Sequence, residues 1–269
     1  MKLFTLNAHS LQGDEPRKNL ERLAAFLLEE RPEVVAIQEV NQPMDAPPLD
    51  PAELPGGYVP SGSARPTREG CFAAELAALL APRAWTWLPV KISYGRYEEG
   101  LALFSLAAPI EEVRTLLLSP CDDFQNWRTR KALGVRLGGA WFWCLHMGWW
   151  DDEDPFAEQW KRLEAGLPQG PAWLLGDFNA PAHVQNQGWD LVHASGWEDS
   201  YLLAKERDGG ITVQGPIDGW KDQREGLRID YIWHRGPVET ARSRTVLNGK
   251  DGPAVSDHFG VLAETEESL

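Results

Sequence analysis

The sequence predicts an α/β (α+β) fold built on mixed sheets. Three observations carry that expectation. The chain opens strand–helix–strand. Its middle and end run through successive strands with no helix between them, which calls for antiparallel pairs. Of its 269 residues 43% are hydrophobic, enough for a large core.

Taken in order, Lys2 to Asn7 alternates apolar and polar residues as a strand does, and Asn7 and His9 continue one face of it. Arg17 to Glu30 is a helix with Leu20, Leu23, Ala24, Leu27 and Leu28 as its apolar stripe, ended by Pro32. Val34 to Ile37 is a buried strand that leads into Gln38-Glu39-Val40. Asn41 to Thr67 is rich in Pro and Gly and has no period, which predicts a long surface loop placed to act as a lid or specificity loop. A short helix over Cys71 to Leu80 precedes strands over Trp85–Val90, Leu101–Ser105, Val113–Leu118, Lys131–Leu137 and Ala140–His146. Gly138-Gly139 joins the last two as a hairpin. Pro155 to Leu167 is helical, with Phe156, Trp160 and Leu163 on one side. Strands over 172–176, 228–233, 241–247 and 258–263 follow, with a loop-rich stretch up to about 227. No repeat, linker or change of composition divides the chain, so residues 1–269 read as one domain.

Composition narrows the function. A net charge of -14 disfavours nucleic acid, whose binders neutralise phosphates with basic footprints. Only a local basic strip could offset it, and Trp127-Arg128-Thr129-Arg130-Lys131 is the most cationic short stretch. Cys71, Cys121 and Cys144 are odd in number and scattered, which argues against a disulfide framework or zinc knuckle. The N-terminal residues lack a signal-peptide pattern, and apolar runs fall far short of the roughly 20 residues of a membrane helix. A cytoplasmic protein with no membrane association and no obligate protein partner is expected. Thirteen tryptophans are unusual, and Trp127, Trp149, Trp150 and Trp220 stand in polar or turn-like contexts where their faces could stack on a substrate.

The chemistry centres on Leu174-Leu175-Gly176-Asp177-Phe178-Asn179-Ala180-Pro181. A buried strand stops here, and an extended backbone would send Asp177 and Asn179 out on one side. A carboxylate and a carboxamide aimed together suit a hard cation or a phosphate-bound water; the plainer alternative is an Asx turn closing the strand. Other strand ends carry similar groups: Asn7, Glu39, His146, and Asp257-His258 ahead of the last strand. Asp230 interrupts an otherwise apolar strand and, buried there, needs a partner such as a histidine.

Leu6-Asn7, Gln38-Glu39, the His146 strand end, Gly176-Asp177-Phe178-Asn179, Ile229-Asp230-Tyr231 and Ser256-Asp257-His258 together resemble the endonuclease/exonuclease/phosphatase superfamily, divalent-metal phosphoesterases that share a fold with DNase I. The resemblance spans residues 6–260. It implies a four-layer sandwich of two mixed sheets packed face to face, with helices outside and the site at one end of the sheets. It also implies roles. Glu39 resembles the principal Mg²⁺ ligand, with Asn7 and Asp257 near the same ion and Mn²⁺ able to substitute. Asp177 and Asn179 resemble the pair that orients the attacking water and phosphoryl oxygens. His258 resembles a histidine held by Asp230, and His146 a second one that binds the phosphate or assists the leaving group. Either His258 or Asp177 could take the proton from water. Some members support the second histidine with an acid, here Glu98 or Glu99. His9 should face the site if its strand is regular, and Arg128 and Arg130 could bind substrate phosphate.

The segments Cys144 to Trp150, Asn126 to Lys131 and Ile217-Asp218-Gly219-Trp220 resemble a bacterial subgroup that includes maltose 6'-phosphate phosphatase. Paired tryptophans, Trp149 and Trp150, would suit sugar rings. A Mg²⁺-dependent phosphomonoesterase for a small, sugar-like phosphate is therefore expected. A nuclease of the same fold, a phosphodiesterase acting on a lipid or nucleotide, and a catalytically silent binding module are the alternatives.

Overall fold

Each strand expected from alternation forms, and the parity of its apolar residues decides which layer it joins. The computed structural model describes residues 1–217, 219–221 and 224–269, so Asp218 of the Ile217–Trp220 segment lies outside the described residues. In chain order the strands are β1 (Lys2–Asn7), β2 (Val34–Pro43), β3 (Ala84–Ser93), β4 (Tyr97–Ser105), β5 (Glu112–Leu117), β6 (Lys131–Leu137), β7 (Ala140–His146), β8 (Ala172–Asp177), β9 (Glu198–Asp199), β10 (Glu206–Arg207), β11 (Asp230–Arg235), β12 (Thr240–Val246) and β13 (Gly260–Thr265). The helices are α1 (Pro16–Glu30), α2 (Phe72–Leu80), α3 (Phe156–Gly166), α4 (Gly188–Ala194) and α5 (Ser200–Leu203). One sheet has the order β10-β12-β13-β1-β2-β4-β3 and the other β5-β6-β7-β8-β11-β9. Both are mixed: β1 and β2 run parallel, as do β7 and β8, while their outer neighbours β13, β4, β6 and β11 pair antiparallel.

Three apolar cores glue four layers. Leu20, Leu23 and Leu27 of α1, with Phe72 and Leu76 of α2, cover Phe4, Leu6, Val35 and Ile37 on the outer face of the first sheet. Phe156, Trp160 and Leu163 of α3, with Val192 of α4, cover Trp143, Leu145, Leu174 and Trp233 on the outer face of the second. Between the sheets, Leu3, Val34, Ala36, Leu101 and Leu103 meet Leu133, Phe142, Cys144, Leu175 and Ile232. Each such fully buried side chain contributes about 1.5–3 kcal/mol.

The long loop behaves otherwise than its composition suggests. The second strand continues to Pro43, and the segment from 44 to 71 contributes no residue to the cleft described below. It is fastened to the sheet instead: the buried Glu98 carboxylate accepts from Arg65 at 2.9 Å and Gln42 at 2.6 Å, with Arg68 at 3.4 Å. A lid role finds no support in that position. Two strands begin later than alternation suggests. Arg228 and Ile229 give their carbonyls to the Ala182 and Phe178 amides, and Phe259 bonds back to Thr212, so β11 starts at Asp230 and β13 at Gly260.

Candidate active site

The inter-sheet face supplies most of the site. Leu3 and Thr5 put Asn7 on that face; Phe142 and Cys144 do the same for His146, and Trp173 and Leu175 for Asp177. Register brings these ends together, because Asp177 lies opposite His146 of β7 on one side and opposite Asp230 of β11 on the other. The approach of β7 and β8 is close. A Cβ on Gly176 would sit 1.9 Å from the Leu145 carbonyl oxygen, so only glycine permits it.

Glu39 has the wrong parity. Val35 and Ile37 face the helices, and unbroken alternation would send Glu39 there too. A register shift between Ile37 and Val40, where Glu39 takes a left-handed backbone (φ +50°), turns it into the cleft instead. A second shift, between Pro89 and Lys91 in β3, lies across the same Gly100 of β4 and turns Lys91 inward. His9 (φ +46°) and Asn179 (φ +48°) are also left-handed. His9 thus reaches the site through a turn, not along a regular strand. For glutamate this conformation costs about 1–2 kcal/mol, and such strain concentrates at functional positions.

A hydrogen-bonded chain joins these groups. The Asn7 amide donates to Glu39 Oε1 at 2.9 Å and to Asp177 Oδ2 at 3.1 Å. His9 Nδ1 lies 3.1 Å from Glu39 Oε2. The Asn179 backbone N–H donates to Asp177 Oδ1 at 2.8 Å, so the Asx turn exists and does not compete with a site role. The Asn179 amide donates to the Met147 carbonyl at 3.0 Å, and Trp220 Nε1 donates to its oxygen at 3.4 Å. Asp230 holds His258 Nδ1 at 3.0 Å, which leaves Nε2 facing Asp177 Oδ2 at 3.9 Å; His146 Nε2 faces the same oxygen at 3.6 Å. Ser256 ties the approach to β13 down by donating to the Asn7 carbonyl at 2.7 Å.

The two histidines are in opposite electrostatic situations. Burial pushes His258 down, but the charge and hydrogen bond of Asp230, then Asp177 and Asp257, outweigh it and raise its pKa to about 10. His146 has no such partner; burial, with Arg130 and Lys91 nearby, pushes it well below the usual imidazole range. Burial and the Asp230 charge raise Asp177 to about 7. Glu39, although burial opposes ionisation, is held well below the usual carboxylate range by the His9 hydrogen bond, and Glu39 raises His9 to about 9.

These groups line a cleft of about 710 Å³. His9, Glu39, His146, Asp177, Asn179, Asp257 and His258 form one end. Lys91, Glu99 and Arg130 stand beside them, and Trp127, Trp149 and Ile217 form a wall. Two residues expected at the substrate lie elsewhere. Arg128 is engaged by Asp152 at 2.9 Å and Glu153 at 3.6 Å, and Trp150 packs against Phe156. Of the two acids left open, Glu99 enters the cleft with the parity of Leu101 and Leu103, while Glu98 has that of Ala102 and Phe104 and faces the loop. The Glu99 carboxylate is paired with Lys91 at 3.2 Å. Lys91 was not evident in the sequence because the apolar run stops at Val90, one residue short of it.

Two groups of donors bear on a metal ion. Ligand atoms of Asp177, Asp230 and His258 lie within 4.8 Å of one another, among the described residues a candidate metal site. There, however, His258 and Asp230 already bond each other. The carboxylate of Glu39, 18% exposed and facing the cleft with the Asn7 amide and Asp257 close by, is an all-oxygen set and fits a hard divalent cation better.

Two facing mixed sheets with carboxylates and imidazoles gathered in a cleft at one end make a phosphoesterase fold. The endonuclease/exonuclease/phosphatase family matches residues 4–258, and the chain belongs to that family. Comparison with curated proteins gives no match. Among solved structures, an endonuclease/exonuclease/phosphatase family protein from Leptotrichia buccalis C-1013-b is 25% identical with a TM-score of 0.84, covering 99% of this chain and 100% of that one. A mannosyl-6-phosphatase from Bacteroides thetaiotaomicron VPI-5482 is 18% identical (TM-score 0.63), with 99% and 100% covered. A 3' phosphatase from Neisseria bound to a product DNA hairpin is 20% identical (TM-score 0.64), again with 99% and 100% covered. Such similarity establishes the DNase I-like fold and the hydrolase family, and leaves the substrate open. No helix among the described residues is long and apolar enough to cross a membrane.

Proposed function

We propose that the chain is a Mg²⁺-dependent phosphomonoesterase for a small, sugar-like phosphate, acting in the cytoplasm as one domain over residues 1–269. The observation that carries this reading is the cleft itself. Its volume of about 710 Å³ suits a small ligand, and it sets a wall of Trp127 and Trp149 beside the phosphoesterase groups. Indole faces of that kind can stack on the apolar faces of sugar rings. Mg²⁺, or Mn²⁺ in its place, would be held by Glu39 with Asn7 and Asp257, and when bound it supplies positive charge to the phosphoryl oxygens.

The remaining steps belong to side chains. Asn179 and the charged His258 donate to phosphoryl oxygens. Because the charged His258 carries a proton on Nε2 and has no free lone pair, Asp177 is the acceptor for the proton of the attacking water. His146, neutral and facing the phosphate, supplies a further hydrogen bond. The bond from water oxygen to phosphorus forms as the ester oxygen departs in line.

A panel of hexose and disaccharide phosphates, assayed for phosphate release with Mg²⁺ beside supercoiled plasmid and a 3'-phosphorylated oligonucleotide, tests the reading. Release from a sugar phosphate that EDTA abolishes and Mg²⁺ or Mn²⁺ restores is the expected result. Activity on the nucleic acids alone would overturn it in favour of a nuclease or DNA phosphatase.

A further inference from the structure

Arg130 is a buried cation with no direct ion pair. It is 4% exposed, it lines the cleft, and its Nε has no hydrogen-bond partner. Among the described residues no carboxylate lies in salt-bridge contact with it; Glu99, Asp177, Glu39 and Asp152 act on it only from farther off. Its guanidinium carbon lies 5.9 Å from the Trp149 ring centroid. The contrast with Arg128, two residues earlier and paired twice, is direct. A buried charge left unpaired is costly unless something else neutralises it. Nor is Arg130 loosely placed: its backbone N–H donates to Ser119 Oγ at 2.7 Å and its carbonyl accepts from Leu118 at 2.9 Å.

The surroundings point to the missing partner. Arg130, Lys91, Glu99 and His146 border one small cavity next to the cleft. Lys91 and Glu99 are paired at 3.2 Å, so of Lys91 and Arg130 it is Arg130 that has its charged group left for a ligand, while Glu39 and Asp177 stand farther off in the same cleft. A guanidinium donates to two oxygens of a phosphate at once. A monoester offers three nonbridging oxygens and close to two negative charges at neutral pH, whereas a diester offers two oxygens, one charge and a second ester group.

We propose that Arg130, set beside His146 and the Lys91–Glu99 pair, receives the oxygens that only a terminal phosphate leaves free, and so makes the site prefer phosphomonoesters to phosphodiesters. This rests on the phosphomonoesterase reading above and names the residue that would enforce it. Arg130 acts here as a specificity determinant in direct contact with the substrate.

The test compares p-nitrophenyl phosphate with bis(p-nitrophenyl) phosphate in wild type, Arg130→Met and Arg130→Lys. Arg130→Met should lower kcat/KM for the monoester about 100-fold and change the diester far less, with Arg130→Lys in between because it restores charge without the planar fork. Replacing an arginine that has no ion pair strands no partner, and an unchanged thermal melt confirms an intact fold. Equal losses on both esters, or an unchanged monoester rate, would overturn the inference. Calorimetric titration with inorganic phosphate separates it from the proposed function. Phosphate binding by wild type that is lost in Arg130→Met upholds the contact even in a protein that hydrolyses neither ester, a result that would count against the proposed function alone. Equal phosphate binding by wild type and Arg130→Met overturns the contact.

Discussion

At the scale of single residues, the site works by giving like groups unlike surroundings. His258 and His146 both face Asp177 Oδ2, yet only His258 has a carboxylate on its other nitrogen. The sign of its pH dependence follows. An unfolded histidine titrates near about 6.5, and the folded value is raised to about 10. Its pairing with Asp230 therefore stabilises the fold fully below the lower value, and that contribution is lost as pH rises through the upper one. In the metal-free protein, NMR should find the His258 imidazole protonated throughout the neutral range, with Asp230→Asn bringing its titration down by more than a unit. An unshifted titration in that variant would show that Asp230 does not hold the charge.

At the scale of elements, strand ends deliver the chemistry and glycine sets their spacing. Gly176→Ala would drive a methyl into the Leu145 carbonyl, an overpacking that costs about 1–3 kcal/mol or more. In a chain of this size each kcal/mol lowers Tm by roughly 2–4 °C. A melt by circular dichroism should show that drop, and because Asp177 is the next residue, turnover should fall further than stability. What was legible in the sequence divides along the same line. The layer of each strand follows from the parity of residues such as Leu3, Phe142 and Leu175, and the carboxylates and imidazoles at their ends could be picked out one by one. Parity would also have chosen Glu99 over Glu98. The bulges at Glu39 and Lys91 could not be read, because one extra residue in a strand leaves no mark on composition and shows only against its neighbour's register. Arg128 and Arg130 look alike in sequence for a related reason: their difference lies in Asp152 and Glu153, brought in by a distant loop.

At the scale of the whole molecule, three cores hold the layers, and the cysteines sample them unevenly. Cys71 is buried between helices and sheet and Cys144 between the sheets, and burial pushes each thiol up to about 12. Cys121 is exposed. Iodoacetamide at neutral pH should label Cys121 alone in the native protein, and all three thiols only after denaturation, read by mass spectrometry. Labelling of Cys144 in the native protein would mean that the two sheets part readily.

The order in which strands sit beside one another has a consequence for the life of the chain. Asn7 ends β1 and Glu39 sits at the bulge inside β2, both central strands of one sheet, and His146, Asp177 and Asp230 stand at strand ends of the other. His258 precedes β13, which pairs with β1 across almost the full length of the sequence. A ribosome that has delivered everything through α3 has presented Asn7, Glu39 and His146 but neither Asp177 nor His258. Even after Asp230 emerges, its imidazole partner is still to come. The cleft is therefore complete only once the last strand has taken its place beside the first.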